Sequence, residues 1–405
     1  MPSLIAAIQD AVPVSEVDAR TVLHPAPELI ITEPESAASE VLEPFGADVT
    51  VRAAPSYALL TVQRIDDGHF RLVGQHREDE NAMPIGEPRG RPYLSLGELA
   101  TGPGLSPEDL YDMMLEWSAG EERFIEWLQR LRAAVGDDEL RLIIWDTTGF
   151  DIPWELFYVP ASEIPQRREG PLGGLFAVSR RVTAYRTADD GSPYTEHVCR
   201  GRLLAFVDDQ MAEDRQFLNR YAAGAIDRPD KLLDQLNEAP DPLGLVYVAC
   251  HGLYADGLPG LRLGTFKYFQ IARYPLAALA RSRAVVFLNA CHAGRLLWDP
   301  RINREASGFA SAFLRQGADV VIGPTGFVET GLAGRIAAGV LDQVTQKPNQ
   351  AVASALTQVR AKIAQRVVGR LTPAQADLKE LVYTFMYVCY GNPYATLELT
   401  AGDRE

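Results

Sequence analysis

Two short stretches carry the residue types of nucleophilic catalysis. Cys250-His251-Gly252 follows the apolar run Leu245–Ala249, and Asn289-Ala290-Cys291-His292-Ala293-Gly294 follows the apolar run Ala284–Leu288. A cysteine is weakly reactive at its free pKa and gains thiolate character from a base or cation beside it. Cys291 as nucleophile with His251 as its base is therefore the pairing that thiolate chemistry asks for. Gly252 leaves the chain beside the imidazole uncrowded, and Gly294 permits a sharp turn after the cysteine. The backbone N–H groups of Gly252 and Cys291 are then candidate donors to the oxyanion of a tetrahedral intermediate. His292 adjoins Cys291, and successive side chains leaving a strand point apart, which ranks it below His251 as the base. Cys250 continues the alternation of its strand and is expected in the core.

The elements that must position this pair are legible from the pattern. From Arg202 onward short apolar runs alternate with helical periodicity, the reading of a parallel α/β sheet. The runs are Leu203–Val207, Leu245–Ala249, Ala284–Leu288 and Asp319–Ile322, with helices at about 230–237, 307–315, 332–344 and 349–366. In such a sheet functional groups gather beyond the carboxyl ends of the strands. His251 and Cys291 fall on one rim, and adjacency of their strands would cancel the 40 positions between them. The last segments, Leu381–Tyr390 and Tyr394–Leu399, close the chain around Gly391-Asn392-Pro393. The stretch between the first strand and Leu245 is short, so one strand-helix unit is abbreviated.

Upstream the chain is broken by prolines and reads as three parts: an N-terminal region over 1–115, a pre-catalytic stretch over 116–195 and the α/β part over 196–405. The first part offers strands Tyr57–Arg64 and His69–Val73 joined by an Asp-Gly hairpin turn, then a helix at about 106–117 that Ser106 caps. A second helix over 121–135 stops at Gly136, and Leu140–Trp145 and Leu175–Val178 read as strands. Trp145, Ile152, Trp154 and Leu156 are expected in the core.

The 405 residues carry 39 Lys+Arg against 54 Asp+Glu, a net charge of −15. This balance argues against a binder that reads nucleic-acid backbones, because phosphates would be repelled on average. No apolar run reaches the ~20 residues needed to cross a bilayer, and the start, MPSLIAAIQD, lacks a basic region before its apolar stretch. A cytoplasmic location without membrane contact is the expectation. Cys199, Cys250, Cys291 and Cys389 show no zinc-like spacing, so neither a metal nor a disulfide framework is expected.

Taken together, CHG at Cys250–Gly252 and NACHAG at Asn289–Gly294 resemble the two catalytic motifs of the CHAT proteases, caspase-like cysteine peptidases related to separase. DIPWELF (Asp151–Phe157), VVIGPTGFVE (Val320–Glu329) and CYGNP (Cys389–Pro393) resemble further segments of that family, so the likeness covers about residues 120–405. It implies a caspase-like three-layer α/β/α sandwich with a mainly parallel central sheet, preceded here by a small mixed α+β N-terminal region. It also implies a cysteine endopeptidase without metal or organic cofactor. Its substrate would be a protein, and a regulatory protein or signal would act through the N-terminal region, in a pathway of bacterial defence or programmed death. This chain departs from the pattern in having Ala293 where many relatives have Ser, and residues 1–115 match nothing in the family.

In the caspase-like fold the loop after the first strand contributes to the pocket for the residue preceding the cleaved bond. Asp208 and Asp209 end that strand here, and Glu329 follows the Val320 strand, so the three acids are candidates to bind a substrate Arg or Lys. A competing account of the Asp pair is a helix cap. Arg167-Arg168 is a candidate autoprocessing site. Two further readings are a non-enzymatic scaffold that keeps the fold as a binding platform, and a thiol hydrolase of small acyl substrates.

Overall fold

Alternate residues of the strand Leu243–Ala249 enter different hydrophobic clusters. Leu245, Tyr247 and Ala249 join one, and Val246, Val248 and the following Cys250 join the other. A strand that is apolar on both faces lies in the middle layer of three. The structure is a computed structural model that describes residues 57–76, 81–92, 106–161, 168–182, 194, 196–221, 225–255, 257–298 and 306–400.

The principal strands are β1 (Tyr57–Arg64), β2 (His69–His76), β3 (Arg141–Asp146), β4 (Ala177–Arg180), β5 (His197–Val207), β6 (Leu243–Ala249), β7 (Val285–Asn289), β8 (Val320–Pro324), β9 (Tyr387–Gly391) and β10 (Ala395–Leu399). The longer helices are α1 (Pro107–Ala119), α2 (Glu122–Val135), α3 (Ala212–Leu218), α4 (Pro229–Glu238), α5 (Tyr268–Arg273), α6 (Ala277–Ser282), α7 (Phe309–Arg315), α8 (Thr330–Gln346), α9 (Val352–Ala364) and α10 (Gln375–Phe385). One sheet runs in the order β5-β6-β7-β8-β9-β4-β3-β1-β2, with two-residue strands at both edges, and β10 pairs with the amino half of β5. Neighbours are parallel except at β8–β9, at β1–β2 and in the short strands beside β2. Helices α3, α8 and α9 pack on one face and α4 to α7 on the other, which is a three-layer α/β/α sandwich with a mainly parallel sheet.

Local chemistry explains where elements begin. Ser106 caps α1 through a capping box: its hydroxyl accepts from the Asp109 N–H at 3.1 Å, and the Asp109 carboxylate accepts from the Ser106 N–H at 2.9 Å. The reversal at β8–β9 divides the rims. The carboxyl ends of β5, β6, β7 and β8 lie together at one rim, while β9, β4, β3 and β1 end at the other.

Several elements differ from the sequence reading. β5 is eleven residues long and not five, because its amino half gains a partner in β10 that lies almost 200 positions away. The Leu175–Val178 stretch is a helical turn, Leu172–Leu175, followed by β4. The abbreviated unit after β5 is real: α3, the two-residue strand Ala225–Ile226 and α4 occupy it. Val49–Glu405 forms one compact unit, and described strands from before residue 115, from 116–195 and from after 195 share one sheet. Among the described residues no helix is long and apolar enough to cross a membrane.

Candidate active site

β6 and β7 are adjacent and parallel, with Ala249 paired to Asn289. His251 and Cys291 each stand two residues beyond that pair, so the register alone delivers them side by side at one rim. Both line a single cavity of about 160 Å³. The two loops touch through their backbones: a Cβ at Gly252 would lie 1.7 Å from the Cys291 carbonyl oxygen and 2.8 Å from its nitrogen. Glycine is therefore demanded at 252 by close approach.

The thiol is half-buried. Cys291 Sγ lies 3.5 Å from the Val328 carbonyl, to which it donates, and 3.5 Å from the Val328 N–H, which donates to it. Burial pushes its pKa up, and the Val328 and Cys291 N–H groups partly oppose that rise. A thiol raised in this way needs a base to reach its thiolate form. His251 is exposed, and its Nε2 lies 2.6 Å from Gln210 Oε1. An amide oxygen only accepts, so Nε2 carries a proton, and in the neutral imidazole the lone pair sits on Nδ1. Gln210 was not singled out from sequence. The signal available was its place in the loop after β5, beside the loop that bears His251.

The same geometry bears on the oxyanion donors. Gly252 faces Leu263 in a short hairpin in which the Gly264 N–H donates to the His251 carbonyl at 2.7 Å. That bond makes Gly252 and Leu263 a pair that exchanges no hydrogen bonds, so the Gly252 N–H points away from the hairpin.

Beneath the cavity is a buried polar network. Asn289 Nδ2 donates to Asp214 Oδ1 at 2.5 Å, and Asn289 Oδ1 accepts from the Tyr387 hydroxyl. The Tyr247 hydroxyl donates to the same Asp214 oxygen. Burial raises the Asp214 pKa, against the pull of these two donors. Asn289 was missed from sequence, although its place two residues before Cys291 on the last position of β7 marks it.

Cys250 is core, as its alternation implies, and it also borders the cavity. The remaining candidates fall outside it. His292 takes a left-handed backbone, φ 60, and buries its ring 5.8 Å from that of Tyr254. Burial, with Arg295 adding to it, lowers its pKa to about 4. The turn after Cys291 is therefore made at His292 and not at Gly294. Gly294 is required because a Cβ there would meet the Gly323 carbonyl oxygen at 2.2 Å, where the turn backs onto β8. Asp208 accepts from the Gln210 N–H at 3.0 Å and so shapes the turn that presents Gln210. Asp209 pairs with Arg215 at 3.1 Å, and Glu329 pairs with Lys379. None of the three acids is among the residues lining the cavity. Trp154, Ile152 and Leu156 are buried, whereas Trp145 is half-buried under Arg181, 4.5 Å from its ring. Arg167 lies outside the described residues; the Arg168 carbonyl accepts from Arg132 at 2.6 Å.

Among the described residues one trio has metal-ligand chemistry: donor atoms of His197, Cys199 and Asp319 lie within 4.8 Å of one another. They sit at the amino ends of β5 and β8, the rim opposite Cys291. Asp319 already accepts from His197 at 3.1 Å, Arg283 at 2.5 Å and Asn392 at 2.9 Å, and the Cys199 thiol donates to the Arg283 carbonyl at 3.2 Å. This is a neutralised ion network with no part in the cavity.

Residues 207–373 match the family model described as "CHAT domain". Among solved structures, two of the Saccharomyces cerevisiae separase–securin complex are similar. One, at 3.0 Å, has a TM-score of 0.40 and 14% identity, with 64% of this chain and 15% of that chain covered. The other, at 2.6 Å, has a TM-score of 0.45 and 11% identity over 83% of this chain and 30% of that one. A complex of the pro- and mature domains of Porphyromonas gingivalis RgpB gives a TM-score of 0.41 and 13% identity, covering 69% of this chain and 70% of that chain. The chain thus spans less than a third of the separase chains it resembles. No curated protein matches it by sequence.

Proposed function

We propose that the protein is a cysteine endopeptidase whose nucleophile is Cys291 and whose general base is His251, a reading supported by the match of residues 207–373 to the CHAT domain model. The observation that carries this reading is the common register: both residues stand two positions beyond the Ala249–Asn289 pair and line one cavity.

In the first half-reaction His251 takes the Cys291 proton, and the sulfur bonds to the scissile carbonyl carbon. The oxyanion is met by the N–H of Gly252, which its hairpin leaves free to point elsewhere, and by that of Cys291. The carbon–nitrogen bond then breaks as His251 returns the proton to the leaving amine, which leaves a thioester. In the second half His251 deprotonates water, which attacks the thioester and releases the carboxyl product and the thiol. Gln210 holds the imidazole in the tautomer that this sequence uses. The substrate is a protein segment extended across the rim.

A peptidyl acyloxymethyl ketone tests the reading, because it alkylates a cysteine only where a peptide-binding cleft presents an activated thiol. Labelling at Cys291 that is lost in Cys291→Ala and reduced at least ~100-fold in His251→Ala is the expected result. Equal labelling of wild-type and His251→Ala protein would remove His251 from the chemistry. Labelling by small acyl reagents but by no peptide would make the protein a small-molecule thiol hydrolase.

A further inference from the structure

We infer that the pocket beside Cys291 accepts an uncharged, apolar side chain from the residue preceding the scissile bond. This rests on the peptidase reading above and names the substrate class of that site. The wall is built by Met211 from the loop after β5, Phe327 and Val328 from the loop after β8, Ala333 from α8 and Tyr387 from β9, with Asn289 at the base. No Asp, Glu, Lys or Arg lines it.

The base offers a charged guest no counter-charge. Asn289 has its amide hydrogen bonded to Asp214 and its carbonyl occupied by Tyr387. Asp214 is itself fully buried, with Tyr247 and Asn289 both on one of its oxygens, and it does not reach the cavity lining. Its other oxygen is without a hydrogen-bond partner and packs near Gly334, where a Cβ would lie 3.4 Å away. A guanidinium entering the cavity would be stripped of water without meeting a counter-charge, an outcome that proteins avoid. Size agrees with polarity. An apolar void of ~150 Å³ holds a benzene-sized guest, and the cavity of about 160 Å³ fits Leu, Met or Phe. Of the acids proposed from sequence, Asp208 accepts from the Gln210 N–H, Asp209 pairs with Arg215 and Glu329 pairs with Lys379, and none of them lines the cavity.

The test uses the full-length protein with acyloxymethyl ketones that share one peptide and differ only at the residue next to the electrophile: Leu, Met, Phe, Ala, Arg, Lys and Asp. The expected result is that Leu, Met or Phe probes label Cys291 at least tenfold faster than Arg, Lys or Asp probes. Phe327→Ala, at a residue 43% exposed and so removable without emptying the core, lowers the Leu-to-Ala rate ratio. Fastest labelling by the Arg or Lys probe would overturn the inference while leaving the peptidase reading intact, and its loss in Asp214→Asn would identify Asp214 as the acid reached. An unchanged Leu-to-Ala ratio in Phe327→Ala would overturn the assignment of this pocket. No labelling by any probe would sink the peptidase reading and the inference with it.

Discussion

The missing side chain of Gly252 is the space that the Cys291 carbonyl occupies: a methyl group there would stand 1.7 Å from that oxygen. Neither backbone can yield without moving one of the two residues assigned to catalysis. Gly252→Ala is expected to lower kcat/KM at least ~100-fold, the loss that a misplacement of about 1 Å can produce. Gly90→Ala, where nothing lies within 4 Å of the added methyl, is the control that should leave activity unchanged. Steady-state assays of both variants with one fluorogenic peptide decide it.

Gln210 acts only through His251, so it is a positioning residue. Gln210→Ala should reduce kcat about tenfold with KM little changed, and Gln210→Glu, which keeps an acceptor oxygen, should recover most of the loss. A purely structural role would not be rescued in this way.

Because burial raises the Cys291 pKa, the free thiol should be slow to alkylate at neutral pH. Its reaction with iodoacetamide should rise with a midpoint above the ordinary thiol value of ~8.5. A midpoint near 6 or below would mean a preformed ion pair in the resting enzyme.

His292 is held neutral, with a pKa of about 4 against 6.5 for a free imidazole. Between those values the unfolded chain binds more protons than the folded one, so stability rises with pH across this window and is lost as pH falls. The contribution is at most about 3 kcal/mol. Urea midpoints measured from pH 7 to pH 4 should fall less in His292→Asn, in which Asn tolerates the left-handed backbone at this position. Parallel curves for the two proteins would show that His292 is not the group responsible.

Arg295 joins the DIPWELF segment to the turn after Cys291. It pairs with Asp151 at 3.2 Å and lies 4.3 Å from the Tyr254 ring that packs on His292. Both partners of the pair are largely buried, and burial raises the Asp151 pKa against the pull of Arg295. Arg295→Met leaves an unpaired buried carboxyl and should destabilise the fold by ~3–5 kcal/mol. The double variant with Asp151→Ala should recover much of that loss in the same denaturation assay.

The strand-ending motifs, the order of strands and helices and the left-over thiol at Cys291 could all be read without coordinates, because period and punctuation are local properties. An apolar run on both faces can only be an inner strand, and the turn residues after it are what a rim presents. The placement of His251 at the rim shared with Cys291 followed from that logic alone. Asp208, Asp209 and Glu329 fall at the right rim by their place in the sequence, and the neighbours such side chains meet there are set by packing. Asp208, Asp209 and Glu329 found a turn, Arg215 and Lys379.

By itself the sequence determined which strands are inner, which loops follow them and which residues in those loops can do thiol chemistry. Only the tertiary structure decided the pairing of Ala249 with Asn289, the approach of Gly252 to Cys291, the partnership of Gln210 with His251 and the apolar wall of the cavity. The physical reason is separation along the chain. Met211, Asn289, Phe327 and Tyr387 meet at one point because strand order and register bring them there, and no local pattern of apolar and polar residues encodes the order of strands in a sheet.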